Sequence, residues 1–313
     1  MRVLFLGTPE FSAVSLRALI DNSYDVCGVF TQPDRPSGRG QRLQSSPVKL
    51  LALAHGIDVF QPERLRAEEN RAIVEHLSPD VVVTASYGQL VPTWMLRLSR
   101  LYPVNVHASL LPSWRGASPI ARSILAGDVT SGVTIIVMEE ALDAGGILLR
   151  EEVSIPLEAT TGEFTQELAI VGARLLIRTL EGMQSGSLVP TPQDEGQVTW
   201  ARKITRDEFQ VAWTRSELDI HNQIRALNPW PAAHVDFRGE KILLWRSLPA
   251  TAMTEPCDVP PGTMLGVFEK ALRVQCGNGT TLDLLEVQRP GKKRLCGRDF
   301  AAGARLRSGD LLQ

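Results

Sequence analysis

The stretch Leu101-Tyr102-Pro103-Val104-Asn105-Val106-His107-Ala108-Ser109-Leu110-Leu111-Pro112-Ser113-Trp114-Arg115-Gly116 organises the chain. It opens on an apolar run that reads as the end of a buried strand. Residues two apart on a strand share a face, so Asn105 and His107 are expected to project together where the chain leaves the sheet. In open α/β sheets that carboxyl edge is where ligands bind. Asn105 offers an amide N–H, and His107 can donate or accept a hydrogen bond. Ser109-Leu110-Leu111-Pro112 supplies an apolar wall stiffened by proline. Arg115-Gly116 then leads into a helix expected to begin near Ala117 or Ser118. A second loop, Leu142-Asp143-Ala144-Gly145-Gly146, follows a strand predicted over 132–138 and carries a carboxylate.

Outward from this stretch the pattern alternates. Strands are predicted at 2–6, 25–31, 58–60 and 80–85, with helices at 11–22, 47–55 and 67–77 between them. That order implies βαβ units: an α/β fold with a Rossmann-like, mostly parallel sheet and helices on both faces. The first turn, Gly7-Thr8-Pro9, lacks the G-x-G-x-x-G pattern, so a dinucleotide site is not expected. A strand at 147–153 precedes a long amphipathic helix at 161–182, whose stripe is Phe164, Leu168, Val171, Leu175 and Leu176. Residues 185–199, rich in Pro and Gly, read as an exposed linker. Beyond them come a helix at 216–226, the turn Asn228-Pro229-Trp230-Pro231, and short strands at 234–237, 241–245, 271–274 and 281–287. These point to a smaller C-terminal OB-like β-barrel. The expected organisation is a catalytic domain over 1–189, a linker over 190–206 and a β-barrel domain over 207–313.

Composition bounds the function. The 313 residues are 43% hydrophobic and 22% charged, as in soluble domains, and the net charge of −2 gives no bulk attraction to nucleic acid. The charge is unevenly spread. Residues 1–205 carry 18 Lys and Arg against 22 Asp and Glu, whereas 206–313 carry 15 against 13. Cys27, Cys257, Cys276 and Cys296 show no metal-ligand spacing, so no structural metal is expected and a reducing cytoplasm fits. No apolar run reaches a membrane span, and the first strand begins at once, with no expected leader. A cytoplasmic monomer is the expectation. The long loop over 32–47 holds Arg35, Arg39 and Arg42, whose guanidinium groups suit phosphate pairing and base stacking. Lys292, Lys293 and Arg294 form a second basic cluster. Lys203 sits where the chain enters the expected second domain.

The Asn105–Gly116 block, the Asp143 loop, the opening Arg2-Val3-Leu4-Phe5-Leu6-Gly7-Thr8-Pro9-Glu10-Phe11 and the loop Thr31–Gly40 together resemble the folate-dependent formyltransferases, almost end to end. The resemblance implies transfer of a formyl group from 10-formyltetrahydrofolate to an amine without a metal. It implies an acceptor that is the methionine α-amino group of initiator tRNA. Asn105 would donate to the oxyanion and His107 would handle the proton, while Asp143 would orient the imidazole and relay the proton to the leaving nitrogen. Tyr87, Gly88 and Leu90 would hold the folate pterin beside Ser109, Leu110, Leu111 and Pro112. Arg39, Arg42, Lys203, Lys292, Lys293 and Arg294 would face the tRNA. Two alternatives stand beside this reading. One is a related enzyme acting on an amino-sugar nucleotide, and the other a non-catalytic RNA-binding protein on the same scaffold.

Overall fold

The computed structural model describes residues 1–37, 42–250 and 259–313, so Arg39 and Cys257 lie outside the described residues. The chain divides into two units. Unit 1 comprises Met1–Pro119, Thr130–Ser154 and Thr165–Ala201; unit 2 comprises Ile120–Val129, Ile155–Phe164 and Arg202–Gln313.

Chain order up to Ala201 is β1 (Arg2–Gly7), α1 (Glu10–Asp21), β2 (Asp25–Phe30), β3 (Arg35–Ser37), β4 (Arg42–Gln44), α2 (Pro47–Ala54), β5 (Val59–Phe60), α3 (Glu68–Leu77), β6 (Val81–Ala85) and α4 (Thr93–Leu96). It continues through β7 (Val104–His107), β8 (Arg115–Gly116), α5 (Pro119–Ala126), β9 (Thr130–Val137), β10 (Ile147–Ser154), α6 (Thr161–Ser185) and β11 (Trp200–Ala201). Seven strands form the main sheet of unit 1 in the order β10-β9-β7-β6-β1-β2-β5. The strands from β5 to β7 are parallel, while β9 runs antiparallel to β7 and β10 antiparallel to β9. The central strands are unbroken apolar runs because both their faces are covered. All five residues of β6 are buried, as are Val3, Leu4, Phe5 and Leu6 of β1. Helix α1 buries Phe11, Leu16 and Leu19, and α2 starts at a Ser46 cap whose hydroxyl accepts from the Lys49 N–H at 3.0 Å.

Two local expectations change. The loop expected over 32–47 contains the hairpin β3–β4, registered Arg35↔Gln44 and Pro36↔Leu43. Its strands are three residues long and polar, too short for alternation to announce them. Residues 190–201, within the stretch read as a linker, are tied into unit 1. Thr191 and Ile147 exchange backbone hydrogen bonds of 2.8 and 2.9 Å, and β11 pairs in parallel with β8.

Unit 2 is built on α7 (Glu217–Ala226), β12 (Ala233–Phe237), β13 (Glu240–Pro249), β14 (Met264–Phe268), β15 (Ala271–Gln275), β16 (Thr281–Gln288), β17 (Arg294–Cys296) and α8 (Gly297–Ala304). The antiparallel order is β12-β13-β16-β15-β14, with β17 added to β16. Ser216 caps α7 as its sequence suggests. The two ends of this strand order are joined by residues 309–313. Gln313 exchanges backbone bonds with Asp236 of β12, and Leu312 N–H donates to Gly262 O at 2.9 Å, just before β14. Met264 N–H donates to Asp310 O at 2.8 Å. The barrel-like wrapping is therefore completed by irregular chain. The sequence reading had no strand at β14, where Gly266 interrupts the pattern, and no helix at α8. Among the described residues no helix is long and apolar enough to cross a membrane.

The tail carries a testable load. Leu312 is 2% exposed within the core formed by Val235, Leu272, Val274 and Phe300. Leu312→Ala is expected to cost about 2–4 kcal/mol in denaturant unfolding. Inside unit 2, Glu208 accepts from Arg122 at 2.5 and 2.9 Å and from the Thr205 N–H at 2.8 Å. These bonds, the guanidinium first, pull the Glu208 carboxyl down to about 2. A depressed folded-state value contributes stability above the ordinary carboxylate range that is lost as pH falls toward 2. Glu208→Gln should therefore lower stability at pH 7 and flatten the fall in stability between pH 4.5 and 2, read by denaturant unfolding across that range.

Candidate active site

The site stands at the carboxyl end of β7. This strand is held between β6, with Thr84 opposite Asn105, and β9, with Ile136 opposite Asn105 and Thr134 opposite His107. His107 is 5% exposed. Its Nε2 lies 3.0 Å from the Trp114 carbonyl. A carbonyl only accepts, so Nε2 carries hydrogen and Nδ1 is the nitrogen turned to Asp143 Oδ2, 3.7 Å away. The same Oδ2 accepts from the Gly116 N–H at 2.9 Å. The carboxylate is thus fixed on one side by backbone and on the other faces the imidazole. Asn105 is half-buried, and its amide makes no hydrogen bond to another described residue, which leaves both N–H groups for a ligand.

The turn after β7 is locked by internal bonds. Thr134 Oγ1 donates to Ser109 O at 2.6 Å and accepts from the Leu111 N–H at 3.1 Å; Ser109 Oγ donates to Ser113 O at 2.6 Å. The Leu111–Pro112 peptide is cis. Of the expected folate wall, Leu110 is half-buried, whereas Ser109, Leu111 and Pro112 are buried beneath it. The Asp143 loop is equally constrained. Asp143 has φ 53°, and a Cβ at Gly145 would lie 1.9 Å from Val137 O, so only glycine fits there.

Tyr87 is 2% exposed, and burial pushes its phenol upward; its hydroxyl finds no partner among the described residues. Its carbonyl already accepts from Thr8 Oγ1 at 3.0 Å and Gln32 Nε2 at 3.1 Å. Both lone pairs are in use, and the exposed residues of this loop are Ser86, Gly88 and Leu90. The same Gln32 lies at the foot of the β3–β4 hairpin. There Lys49 Nζ meets Asp34 at 2.6 Å and holds that carboxyl below the ordinary range. Arg42 begins β4. Lys203, Lys292, Lys293 and Arg294 belong to unit 2. The Arg294 guanidinium stacks 3.6 Å from the Trp245 ring centroid.

The structure therefore brings His107 and Asp143 together in unit 1, with Asn105 two residues before His107 on β7. Sequence reasoning missed Thr134, Arg115 and Gln193. Arg115 is 4% exposed, an unusual place for a guanidinium, and its partner Gln193 is 78 residues away. Only the position of Arg115 inside the block hinted at a role, and nothing in the sequence pointed to Gln193.

Residues 1–180 match the formyl transferase family model and residues 203–305 match the formyl transferase C-terminal domain. A methionyl-tRNA formyltransferase of Bacillus subtilis is 43% identical over 99% of this chain and 97% of its own length. One from Methylococcus capsulatus is 44% identical over 98% and 99%. Among solved structures, an N-formyltransferase from Helicobacter canadensis, in complex with folinic acid and dTDP-3-aminofucose, superposes with TM-score 0.69 at 17% identity, covering 92% of this chain and 98% of that one. The chain belongs to the formyl transferase family.

Proposed function

We infer that the chain transfers the formyl group of 10-formyltetrahydrofolate to the methionine α-amino group of initiator tRNA, a step that prepares the aminoacyl-tRNA for translation initiation. The observation that carries this reading is the approach of Asp143 to His107 beside Asn105 on β7, in a chain 43–44% identical to curated methionyl-tRNA formyltransferases over nearly its full length. The donor supplies an activated one-carbon acyl group. The amine forms a bond to the formyl carbon as the bond from that carbon to the folate nitrogen breaks, and the ammonium proton ends on that nitrogen.

The residues divide this work. Asn105 aims an N–H at the formyl oxygen, where negative charge develops during attack. His107 and Asp143 handle the proton between incoming and leaving nitrogens, with His107 held by Trp114 O and Asp143 by the Gly116 N–H. The exposed Leu90, the Gly88 backbone and Leu110 line the folate side, with Tyr87, Ser109, Leu111 and Pro112 supporting them from beneath. Arg39, outside the described residues, and Arg42 serve the tRNA acceptor end in this reading, and Lys203, Lys292, Lys293 and Arg294 of unit 2 contact the same nucleic acid. The activity is that of a cytoplasmic, monomeric enzyme.

Formyl transfer to initiator Met-tRNA in steady state tests the assignment. Asn105→Ala is expected to lower kcat by about 10²–10³-fold. His107→Ala and Asp143→Asn should each lower it by about 10²–10⁴-fold, with KM for both substrates nearly unchanged. Transfer to a dTDP-amino sugar in place of Met-tRNA would overturn the acceptor. Arg42→Ala and Arg39→Ala should instead raise KM for tRNA and spare kcat. Each should also reduce the slope of log affinity against log salt by roughly 0.7–0.9.

A further inference from the structure

Gln193 uses every hydrogen-bonding position it has. Its Oε1 accepts from Arg115 Nε at 3.1 Å and Arg115 Nη2 at 2.9 Å. Its Nε2 donates to the Asp143 carbonyl at 2.7 Å and to the Gly145 carbonyl at 2.8 Å. Two acceptor and two donor positions exhaust a glutamine amide. Arg115 is itself anchored, with Nη1 and Nη2 on Glu195 at 3.2 and 2.7 Å. The segment carrying Gln193 is fixed beside the loop by the Thr191–Ile147 bridge, and a Cβ on Gly146 would meet Pro190 at 2.7 Å.

We propose that Gln193 is a positioning residue for the reaction, clamping the backbone on both sides of Ala144 to the buried Arg115 and so fixing where the Asp143 carboxylate stands. Resting on the role given above to Asp143, the inference extends the catalytic machinery to a residue that touches neither substrate nor imidazole. The reasoning is geometric. Asp143 sits at positive φ, where a non-glycine backbone stays only if its surroundings hold it. Its carboxylate has one backbone tether, the Gly116 N–H, and its own carbonyl needs a second point to stop the peptide from rotating. Gln193 supplies that point, and Arg115 orients the amide so that its NH2 faces the two carbonyls. Because Arg115 and Gly116 are neighbours, both tethers of Asp143 lead back to β8. A shift of about 1 Å at a catalytic group costs on the order of 10²-fold in rate, so the clamp has a kinetic consequence.

Three variants test this. Gln193→Met keeps the side-chain volume and removes all four bonds. Gln193→Glu keeps the acceptor for Arg115 and removes both donors to the loop. Both are expected to lower kcat by about 10–100-fold, leave KM for the folate and the tRNA within about twofold, and move the midpoint of the kcat–pH profile. In an Asp143→Asn background, read by single-turnover rate, Gln193→Met should add less than about a twofold further loss, since the group it positions is already gone. Equal losses in both backgrounds would mean general support of the fold and would overturn the inference. So would a Gln193→Glu variant with the wild-type rate and pH profile. Full activity in Asp143→Asn alone is a separate result that removes the role assigned to Asp143, and with it the purpose of the clamp.

Discussion

The catalytic edge depends on β9 lying antiparallel against β7 in one register. That pairing puts Thr134 opposite His107, where its hydroxyl can bind both Ser109 O and the Leu111 N–H and so shape the turn that follows the histidine. The neighbouring β9–β10 hairpin leaves no space for side chains at two glycines. A Cβ on Gly132 would meet Glu151 O at 2.1 Å, and one on Gly145 would meet Val137 O at 1.9 Å. With β9 displaced by one residue, every side chain would change face and Thr134 would leave the turn. The β7–β9 ladder sets the histidine turn and the β9–β10 hairpin sets the aspartate loop, so β9 stands behind both.

This explains what could be read from the sequence. β1, β6, α2, β10 and α7 announce themselves locally, through apolar runs, a Ser46 or Ser216 cap, or a proline at the helix start. Asn105 and His107 stood out at the end of an apolar run, and Asp143 in the loop after another, because each carries chemistry that a strand does not need. The direction of β9 was not legible, because a buried parallel strand and a buried antiparallel strand have the same composition. The β3–β4 hairpin, β14 and α8 were missed for a related reason. Their signals are three to eight residues long and broken by glycine. The Arg115–Gln193 contact is legible only in three dimensions, since no local pattern couples residues 78 apart.

Unit 2 shows why a count of charges misleads about nucleic-acid binding. Its excess of basic residues is partly cancelled in place: Arg289 meets Glu240 at 2.5 Å, Arg273 meets Asp283 at 2.7 Å and Arg122 meets Glu208. Arg294 has only a distant carboxylate, Glu286 at 3.9 Å, and lies on Trp245. Among the described residues Lys292 and Lys293 make no ion pair and are exposed. Lys292 and Lys293, on the turn between β16 and β17, are thus open to a phosphate, as are Lys203, Lys270 and Arg298, exposed and without an ion pair among the described residues. Such surface charges act mainly by releasing counterions and guiding encounter, without reading sequence.

The first turn of the sheet bears on the acceptor. A phosphate-gripping turn needs free N–H groups at a helix start and room for the ligand against the backbone. Here Pro9 contributes no N–H, and the Ser12 and Ala13 N–H groups both return to Pro9 O, at 3.0 and 3.1 Å. The Ser12 hydroxyl is spent on Ala85 O at 2.5 Å, and a Cβ on Gly7 would already touch Ser12 at 2.6 Å. Glu10, exposed in the first turn of α1, offsets the positive end of the helix with its own charge. A small phosphorylated acceptor would find no anion site at this turn. An acceptor whose phosphates lie along an extended backbone does not need one.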